Sequence, residues 1–205
     1  MIFIGVGSNL GDRWKAFSDA WQYLLSVGIE VIQSSPIYET YPWGEREQPL
    51  YLNAVWQVTT HLSPEALLET LQAIEQSLGR PPSVRPRWGA RIIDLDLLAY
   101  GAEIRCTPTL TLPHPWIPHR PFVLGPWNDL APYFYLPPWK ATVNELWQRC
   151  HSSGWGHRVP PPQGIPLPMT PSKPTQHAGN PSFPPASEPS KPEIQAKLSL
   201  CWKKP

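Results

Sequence analysis

Apolar and polar positions alternate with strand or helix spacing along the first part of the chain. The apolar run Ile2–Val6 predicts a strand, and apolar residues recur every three or four positions from Trp14 to Leu25, as on an amphipathic helix. Residues 29–32 predict a second strand that continues toward Tyr38, and residues 51–58 predict a third. The first four elements are therefore predicted to be strand, helix, strand and strand.

A second helix and a fourth strand follow. Ser63 and Pro64 are typical of an N-cap and a first helical position, and Gly79 of the residue just past a helix end. The apolar face between them consists of Leu67, Leu68, Leu71, Ile74 and Leu78. Residues 92–100 then form a strand pattern that carries two acids. The order βαββαβ predicts an α+β, ferredoxin-like fold: an antiparallel sheet with both helices on one face.

Composition separates the chain into two parts. Of the 29 prolines, 13 lie in residues 160–205, where large apolar residues are few. Such a segment cannot bury enough apolar surface to offset the entropy of ordering it. We therefore predict one domain over residues 1–155 and a disordered, Pro-rich tail over residues 156–205. Within the domain, residues 106–155 predict loops and short elements, with a short helix near 143–148.

The charge balance excludes some classes of partner. The net charge is +1, from 17 Lys and Arg against 16 Asp and Glu, so no polybasic surface for nucleic acid is expected. No apolar run approaches the roughly 18 residues of a membrane span, and the first strand begins at residue 2, which leaves no room for a signal peptide. We expect a cytoplasmic protein, monomeric, with small-molecule substrates.

Two acids on the fourth strand suggest a metal site. Asp94 and Asp96 are two residues apart, so on a strand they point to the same side, with Cα atoms roughly 6–7 Å apart. Two carboxylates at that spacing can hold one ion or a pair of ions, and hard oxygen ligands favour Mg²⁺. A solvated strand face is the alternative reading of any such pair.

Arginines precede these acids in the sequence. They are Arg80, Arg85, Arg87 and Arg91. They could simply form ion pairs with Asp94 and Asp96. Four arginines outnumber two acids, however, and a polyphosphate with bridging Mg²⁺ would neutralise the excess positive charge. A nucleotide site is therefore plausible, although it is not a P-loop: no GxxxxGK[ST] occurs, and Gly5 and Gly7 lack the third glycine of a dinucleotide fingerprint.

Aromatic, amide and imidazole side chains complete the candidate site. Tyr51, Asn53 and Phe122 could stack on and hydrogen-bond a planar heterocycle, although aromatic residues in a small domain are more often core. No further ligands accompany His114 at zinc spacing, so a phosphate contact beside Arg120 fits better.

Four motifs together resemble one family. They are GVGSNL at 5–10, YLNAV at 51–55, RWGARIIDLDLL at 87–98, and LPHP at 112–115 leading to RPF at 120–122. In this order and spacing they resemble 6-hydroxymethyl-dihydropterin pyrophosphokinase over roughly residues 1–150. The resemblance implies transfer of the β,γ-pyrophosphoryl group of ATP to the hydroxymethyl oxygen of the pterin, giving AMP and the pterin pyrophosphate, in folate biosynthesis.

The resemblance also implies roles for individual residues. Asp94 and Asp96 would hold two Mg²⁺ ions, with Asp96 the better proton acceptor, and Arg80 and Arg91 would stabilise the charge that develops during transfer. The residues implied in ATP binding are Arg80, Arg91, His114, Arg120, Glu75, Leu97 and Thr111. Those implied in pterin binding are Thr40, Pro42, Trp43, Tyr51, Asn53, Trp88 and Phe122. Thr109 departs from the pattern, because some members carry an arginine there.

Two other function classes stay open at this point. A non-catalytic ferredoxin-like module that binds RNA would need a basic surface, whereas this sheet offers Asp94 and Asp96. An enzyme that keeps the ATP and Mg²⁺ site but uses another acceptor, or hydrolyses ATP, is the second alternative, and the clamp of Tyr51, Asn53 and Phe122 argues against it. The tail could be a ligand for an SH3-type domain or merely an extension.

Overall fold

The computed structural model describes residues 1–42, 47–79, 90–150 and 154–170. Four helices lie in this part of the chain: α1 Arg13–Ser26, α2 Pro64–Ser77, α3 Pro121–Leu130 and α4 Val143–Cys150. Its strands are β1 Ile2–Ser8, β2 Glu30–Ser34, β3 Tyr38–Thr40, β4 Tyr51–Thr59, β5 Asp94–Tyr100, β6 Arg105–Cys106, β7 Thr111–Leu112, β8 Tyr135–Leu136, β9 Ala141–Thr142 and β10 Gly156–Arg158. Single 3₁₀ turns cover Ile117–His119 and Pro137–Trp139. None of these helices is both long and apolar enough to cross a membrane.

One antiparallel sheet forms the centre of the fold. Its strand order is β10-β3-β4-β1-β5, and β2 also pairs with β4. β1 is central, since it pairs with β4 on one side and with β5 on the other. The predicted second strand is divided into β2 and β3, because Pro36 interrupts it. The chain is therefore an α+β protein, as predicted.

Helices α1 and α2 cover one face of this sheet. α2 begins as predicted at the N-cap Ser63, and α1 begins at the N-cap Asp12, which was not predicted; both side chains accept backbone N–H bonds. Their buried apolar residues join alternate residues of β1 and β5 in one core cluster; those members include Phe17, Leu24, Leu67, Leu71, Ile74, Ile4, Val6, Leu95 and Leu97.

The two predicted helices α1 and α2 share one face of the sheet, and α3 and α4 cover the other face, which the predicted fold did not include. Phe3 and Leu98, which point away from α1 and α2, pack there with apolar residues of α3 and α4. The short helix predicted near 143–148 is confirmed as α4, but α3 was not predicted. Its two prolines explain why the sequence did not predict a helix. Pro121 stands at the first helical position, where proline is tolerated, but Pro126 lies in the helix interior, where proline is rare.

The first residues of the predicted disordered tail pack against the domain. β10 extends the sheet by pairing with β3, Val159 and Leu167 pack against the core of the α1 and α2 face, and Ser34 N donates to Met169 O at 2.9 Å. For residues 156–170 the prediction of disorder is therefore wrong. An open strand edge offers backbone partners that composition does not reveal. Residues 171–205 lie outside the described residues.

We predict that Phe3→Ala lowers the free energy of unfolding by about 3–5 kcal/mol, measured by urea denaturation. Phe3 is fully buried, with its ring centroid 5.0 Å from that of Trp127 and 4.9 Å from that of Phe134. Phe3→Leu, which keeps most of the volume, should cost no more than about 1.5 kcal/mol. A loss below about 1 kcal/mol in Phe3→Ala would show that this aromatic layer contributes little to stability.

Candidate active site

The register between β1 and β5 places two aspartates over two glycines. Gly5 lies opposite Asp96, and Gly7 lies opposite Asp94. A Cβ added at Gly5 would lie 3.7 Å from Asp96 Cβ and 3.5 Å from a Leu98 methyl, and one at Gly7 would lie 3.0 Å from Asn53 Oδ1. Because glycine has no side chain, this part of β1 forms an open floor beside the carboxylates. Asp94 and Asp96 point to the same side of the sheet, as predicted.

A cleft of about 460 Å³ opens over this floor. It is lined by the described residues that the sequence singled out, Pro42 excepted: Thr40, Tyr51, Asn53, Glu75, Arg91, Asp94, Asp96, Leu97, Thr111, His114, Arg120 and Phe122. Pro42 is half-buried and is not among the lining residues, whereas its neighbour Tyr41 is. The predicted site residues Trp43, Arg80 and Trp88 lie outside the described residues. The fold thus brings residues from distant parts of the sequence into one cavity.

Each aspartate is paired with one arginine. Asp96 Oδ2 accepts from Arg120 Nη1 at 2.6 Å, and Asp94 Oδ1 accepts from Arg91 Nη1. The Asp94 and Asp96 side chains are still 28% and 32% exposed, so both remain open to the cleft. Arg120 is buried, and its Nε has no hydrogen-bond partner among the described residues. A buried donor of this kind is suited to an anion, because leaving it unpaired costs free energy.

The two carboxylates differ in how readily they ionise. Burial and the negative charge of Asp96 raise the pKa of Asp94 above its ordinary value, although Arg91 opposes this. Burial would also raise the pKa of Asp96, but the nearby Arg120 and His114 bring it below its ordinary value. Two like charges that share a cleft repel each other, and a divalent cation between them would remove that repulsion.

The donor set fits a magnesium ion that shares its ligands with substrate. Asp94 and Asp96 offer carboxylate oxygens, and within the described ranges no three His, Cys, Asp or Glu side chains are grouped as in an all-protein metal cage. Mg²⁺ is usually held by one or two carboxylates, with phosphate oxygens and water completing its octahedron. The site therefore suits Mg²⁺ carried with a polyphosphate.

His114 is a neutral hydrogen-bonding group in this cleft. Burial lowers the pKa of His114 to about 4, so the ring is uncharged at neutral pH. Its Nδ1 accepts from Trp116 N at 3.2 Å, which leaves the ring proton on Nε2. His114 can donate one hydrogen bond to an anion but adds no positive charge.

The cleft is also lined by an amide and by aromatic side chains. Asn53 Nδ2 donates to Thr40 Oγ1 at 2.8 Å, which orients the buried amide, and Tyr51 OH donates to Gln48 Oε1 at 3.3 Å. Phe122 lies in the first turn of α3, and its ring centroid is 5.8 Å from the Arg120 guanidinium carbon. A cleft lined by an oriented amide and by two aromatic side chains suits a flat, polar heterocycle.

Comparison with known proteins identifies the family. Residues 3–132 match the sequence model described as 7,8-dihydro-6-hydroxymethylpterin-pyrophosphokinase. The chain belongs to this family. It is 43% identical over 155 residues to the 2-amino-4-hydroxy-6-hydroxymethyldihydropteridine pyrophosphokinase of Methylorubrum extorquens, a match that covers 74% of this chain and 94% of that protein.

Longer relatives contain this pyrophosphokinase sequence as one part. The chain is 42% identical over 130 residues to the folic acid synthesis protein fol1 of Pneumocystis carinii, covering 63% of this chain and 17% of that protein. It is 40% identical over 129 residues to the mitochondrial folate synthesis bifunctional protein of Pisum sativum, covering 63% of this chain and 25% of that one. A crystal structure described as HPPK-DHPS in complex with substrates matches with a TM-score of 0.55 at 15% identity, over 72% of this chain and 42% of that one, and so supports the fold alone.

Glu75 on α2 forms a hydrogen bond to the backbone of β5 in this member of the pyrophosphokinase family. Its buried carboxylate accepts from Leu95 N at 2.7 Å, and β5 is the edge strand on that side. The ATP-binding role implied for Glu75 stays a prediction. Leu68 and Gln72 also line the cleft, and with Glu75 they follow the spacing of one helix face, a signal that the sequence analysis did not use.

Asn9, which was not predicted as a site residue, joins the two segments that border the cleft. Asn9 is 2% exposed, its Nδ2 donates to Gln48 Oε1 and Pro49 O at 3.2 Å each, and its Oδ1 accepts from Arg91 N at 2.7 Å. Its backbone N also donates to Arg91 O at 3.0 Å. One side chain therefore fixes the start of the segment that carries Arg91 relative to the segment before Tyr51.

We predict that Asn9→Ala lowers the free energy of unfolding by about 2–3 kcal/mol, because it removes three side-chain hydrogen bonds, to Gln48, Pro49 and Arg91. Urea denaturation measures this. Asn144→Ala is the control, since Asn144 makes a single side-chain hydrogen bond to Asn128 outside the cleft, at 2.9 Å. It should cost about 1 kcal/mol. Equal losses in the two variants would argue against the bridging role.

Proposed function

We propose that pyrophosphoryl transfer takes place in the cleft over Gly5 and Gly7, between Asp94 and Asp96 on one side and Tyr51, Asn53 and Phe122 on the other. The observation that carries this proposal is the pair of arginine-bound aspartates on β5, which face an open floor next to the oriented amide of Asn53.

As a family member, the chain is an ATP-dependent pyrophosphokinase of folate biosynthesis. The reaction moves the β,γ-pyrophosphoryl group of ATP to the hydroxymethyl oxygen of 6-hydroxymethyl-7,8-dihydropterin. The bond between that oxygen and the β-phosphorus forms as the bond to the α-phosphate oxygen breaks, and AMP leaves. The paired aspartates favour this activity over the RNA-binding module, and Tyr51, Asn53 and Phe122 in the cleft lining favour it over the ATP hydrolase considered above.

Asp94 and Asp96 would hold two Mg²⁺ ions together with the phosphates of ATP. When bound, the ions neutralise phosphate charge and make the attacking hydroxyl more acidic. Burial and the negative charge of Asp96 raise the pKa of Asp94, and this supports the assignment because a divalent cation between the two carboxylates would favour their ionised forms. The family resemblance alone supports the number of ions.

Arg91 and Arg120 are the described residues best suited to the triphosphate. Both line the cleft, both neutralise an aspartate in the structure, and Arg120 adds a buried N–H without a partner among the described residues. The neutral His114 would donate from Nε2 to a phosphate oxygen. The roles proposed for Arg80, Leu97 and Thr111 rest on the resemblance, as does that of Glu75. Thr109 lines the same cleft and supplies no charge where some members have an arginine.

The chain supplies orientation rather than a strong base. Asp96 is the proposed proton acceptor, yet a carboxylate whose pKa is lowered by Arg120 and His114 is a weak base. Catalysis would then rest on holding the hydroxyl in line with the β-phosphorus and on neutralising charge in a site partly screened from water.

The pterin would lie between the rings of Tyr51 and Phe122, with Asn53 reading its polar edge. The hydrogen bond from Asn53 to Thr40 supports this assignment, since it fixes which way the amide faces. Pro42, Trp43 and Trp88 are proposed to border the same substrate on the strength of the resemblance. The strand order, with β1 between β4 and β5, supports a ferredoxin-like classification.

We predict that AMP release requires ATP, Mg²⁺ and the pterin together, and that Asp94→Asn or Asp96→Asn lowers kcat by at least about 100-fold. Each substitution removes one charge from the pair that would hold the ions. Chromatographic assay of AMP measures the rate, and circular dichroism checks that each variant is folded.

Asp19→Asn is the matched control, because Asp19 lies on α1 and pairs with Lys15 outside the cleft. It should leave kcat within about twofold. Near-normal turnover in either cleft variant would refute the assignment of the metal site, and AMP release that does not depend on the pterin would refute the acceptor.

A further inference from the structure

The last strand of the described chain lies outside the family match and against the candidate substrate pocket. β10 follows residues 3–132, the part that matches the family, and pairs with β3 so that Gly156 lies opposite Thr40 and Arg158 opposite Tyr38. A Cβ added at Gly156 would lie 2.7 Å from Glu39 O and 2.9 Å from Thr40 Cγ2. β10 therefore packs directly on the residue that accepts the Asn53 hydrogen bond.

Arg158 joins β3 to α3 through a closed ring of hydrogen bonds. Its Nε donates to Tyr38 OH at 2.8 Å and its Nη2 donates to Asp129 Oδ1 at 2.7 Å, while Tyr38 OH donates to Asp129 Oδ2 at 2.5 Å. Burial and the hydrogen bond to Asp129 raise the pKa of Tyr38 to about 12, so its hydroxyl keeps the proton that it donates. Three side chains from three elements thus fix one another.

Trp155 makes a second link between the same elements. Its ring centroid lies 4.8 Å from that of Tyr38 on β3 and 5.1 Å from that of Trp147 on α4. It also packs closely against α3 at Gly125, where an added Cβ would lie 2.3 Å from the nearest ring atom. Gly125 is three residues after Phe122, so this contact lies about one helical turn from the aromatic wall of the pocket.

These contacts meet at the two walls of the pocket. β3 carries Thr40, which orients Asn53, and α3 carries Phe122 in its first turn. A short helix and a paired strand move as units, so contacts at Gly125 and Asp129 also set where Phe122 stands relative to Asn53. We name Trp155, Arg158, Tyr38 and Asp129 the C-terminal clamp.

We propose that the C-terminal clamp positions Phe122 against Asn53 and so sets the affinity of the pocket for its flat heterocyclic substrate. The inference rests on the proposed function, because it takes the pterin to lie between those side chains. The clamp touches neither Asp94 nor Asp96. Arg120 precedes Phe122 at the start of α3, but its ion pair with Asp96 on β5 holds it separately, so ATP binding should depend on the clamp much less than pterin binding does. Arg158 is 61% exposed and Asp129 20%, so the ion pair itself adds little to global stability.

The test compares KM for the two substrates in full-length variants. Arg158→Met keeps the aliphatic stem but removes the ring of hydrogen bonds, and it should raise KM for the pterin about tenfold while KM for ATP stays within about twofold. Arg158→Lys, which can still pair with Asp129 but cannot bridge both partners, should give an intermediate KM.

Tyr38→Phe is the milder variant should Arg158→Met fold poorly, and it should shift KM for the pterin in the same direction. Tyr100→Phe is its matched control: Tyr100 OH donates to Leu62 O at 2.7 Å, and neither residue lines the cleft. It should leave both KM values unchanged. Thermal unfolding of each variant measures stability separately.

The outcomes distinguish failure of the role proposed for the C-terminal clamp from failure of the proposed function. Suppose that the unaltered protein makes pterin-dependent AMP but that KM for the pterin stays within twofold in Arg158→Met and Tyr38→Phe. The proposed function then stands, and the proposed role of the C-terminal clamp is refuted. A parallel rise in both KM values also refutes it, since that indicates a general loss of structure. If the unaltered protein makes no pterin-dependent AMP, the proposed function fails, and the inference fails with it.

Discussion

The antiparallel pairing of β1 with β5 is the constraint on which the candidate site depends. This register sets Gly5 and Gly7 opposite Asp96 and Asp94, so the acids face a surface without side chains. A slip of one residue would turn both aspartates toward α1 and α2 and expose Leu95 and Leu97, which are buried there. The burial of those leucines therefore holds the carboxylates in the cleft, and fold stability and site geometry share one cause.

Charge balance explains how two acids can stand on an otherwise apolar strand. Unpaired carboxylates would be costly beside a packed core, and Arg91 and Arg120 each neutralise one of them. The arginines come from different segments, one just before β5 and one at the start of α3. The ion pairs thus join β5 to the segments that border the cleft. Hydrogen bonds to the backbone add to this: Glu75 accepts from Leu95 N on β5, and Asn9 accepts from Arg91 N in the segment before it.

Much of this arrangement could be read from the sequence. The N-cap of α2, the apolar spacing of the buried faces of α1 and α2, and the alternation of Asp94, Leu95, Asp96 and Leu97 all depend on neighbours in the chain, which is why these predictions are confirmed. α3 escaped prediction because prolines at its first position and in its interior mask helical spacing. The ordered structure of residues 156–170 was not predicted, because amino-acid composition does not show that a strand edge is available for these residues to pair with.

Side-chain partners required the folded chain. The sequence places arginines near acids, yet it does not say that Arg120, 24 positions away, is the partner of Asp96. Nor does it show that Asn9 reaches Gln48, Pro49 and Arg91, or that Arg158 joins Tyr38 to Asp129, because such contacts depend on how strands and helices pack in three dimensions. The sequence by itself determined the first helices and strands, the paired acids and the family, since periodicity and motif spacing are local properties. The tertiary structure decided which charges meet and which glycines leave room, because those contacts join residues that are distant along the chain.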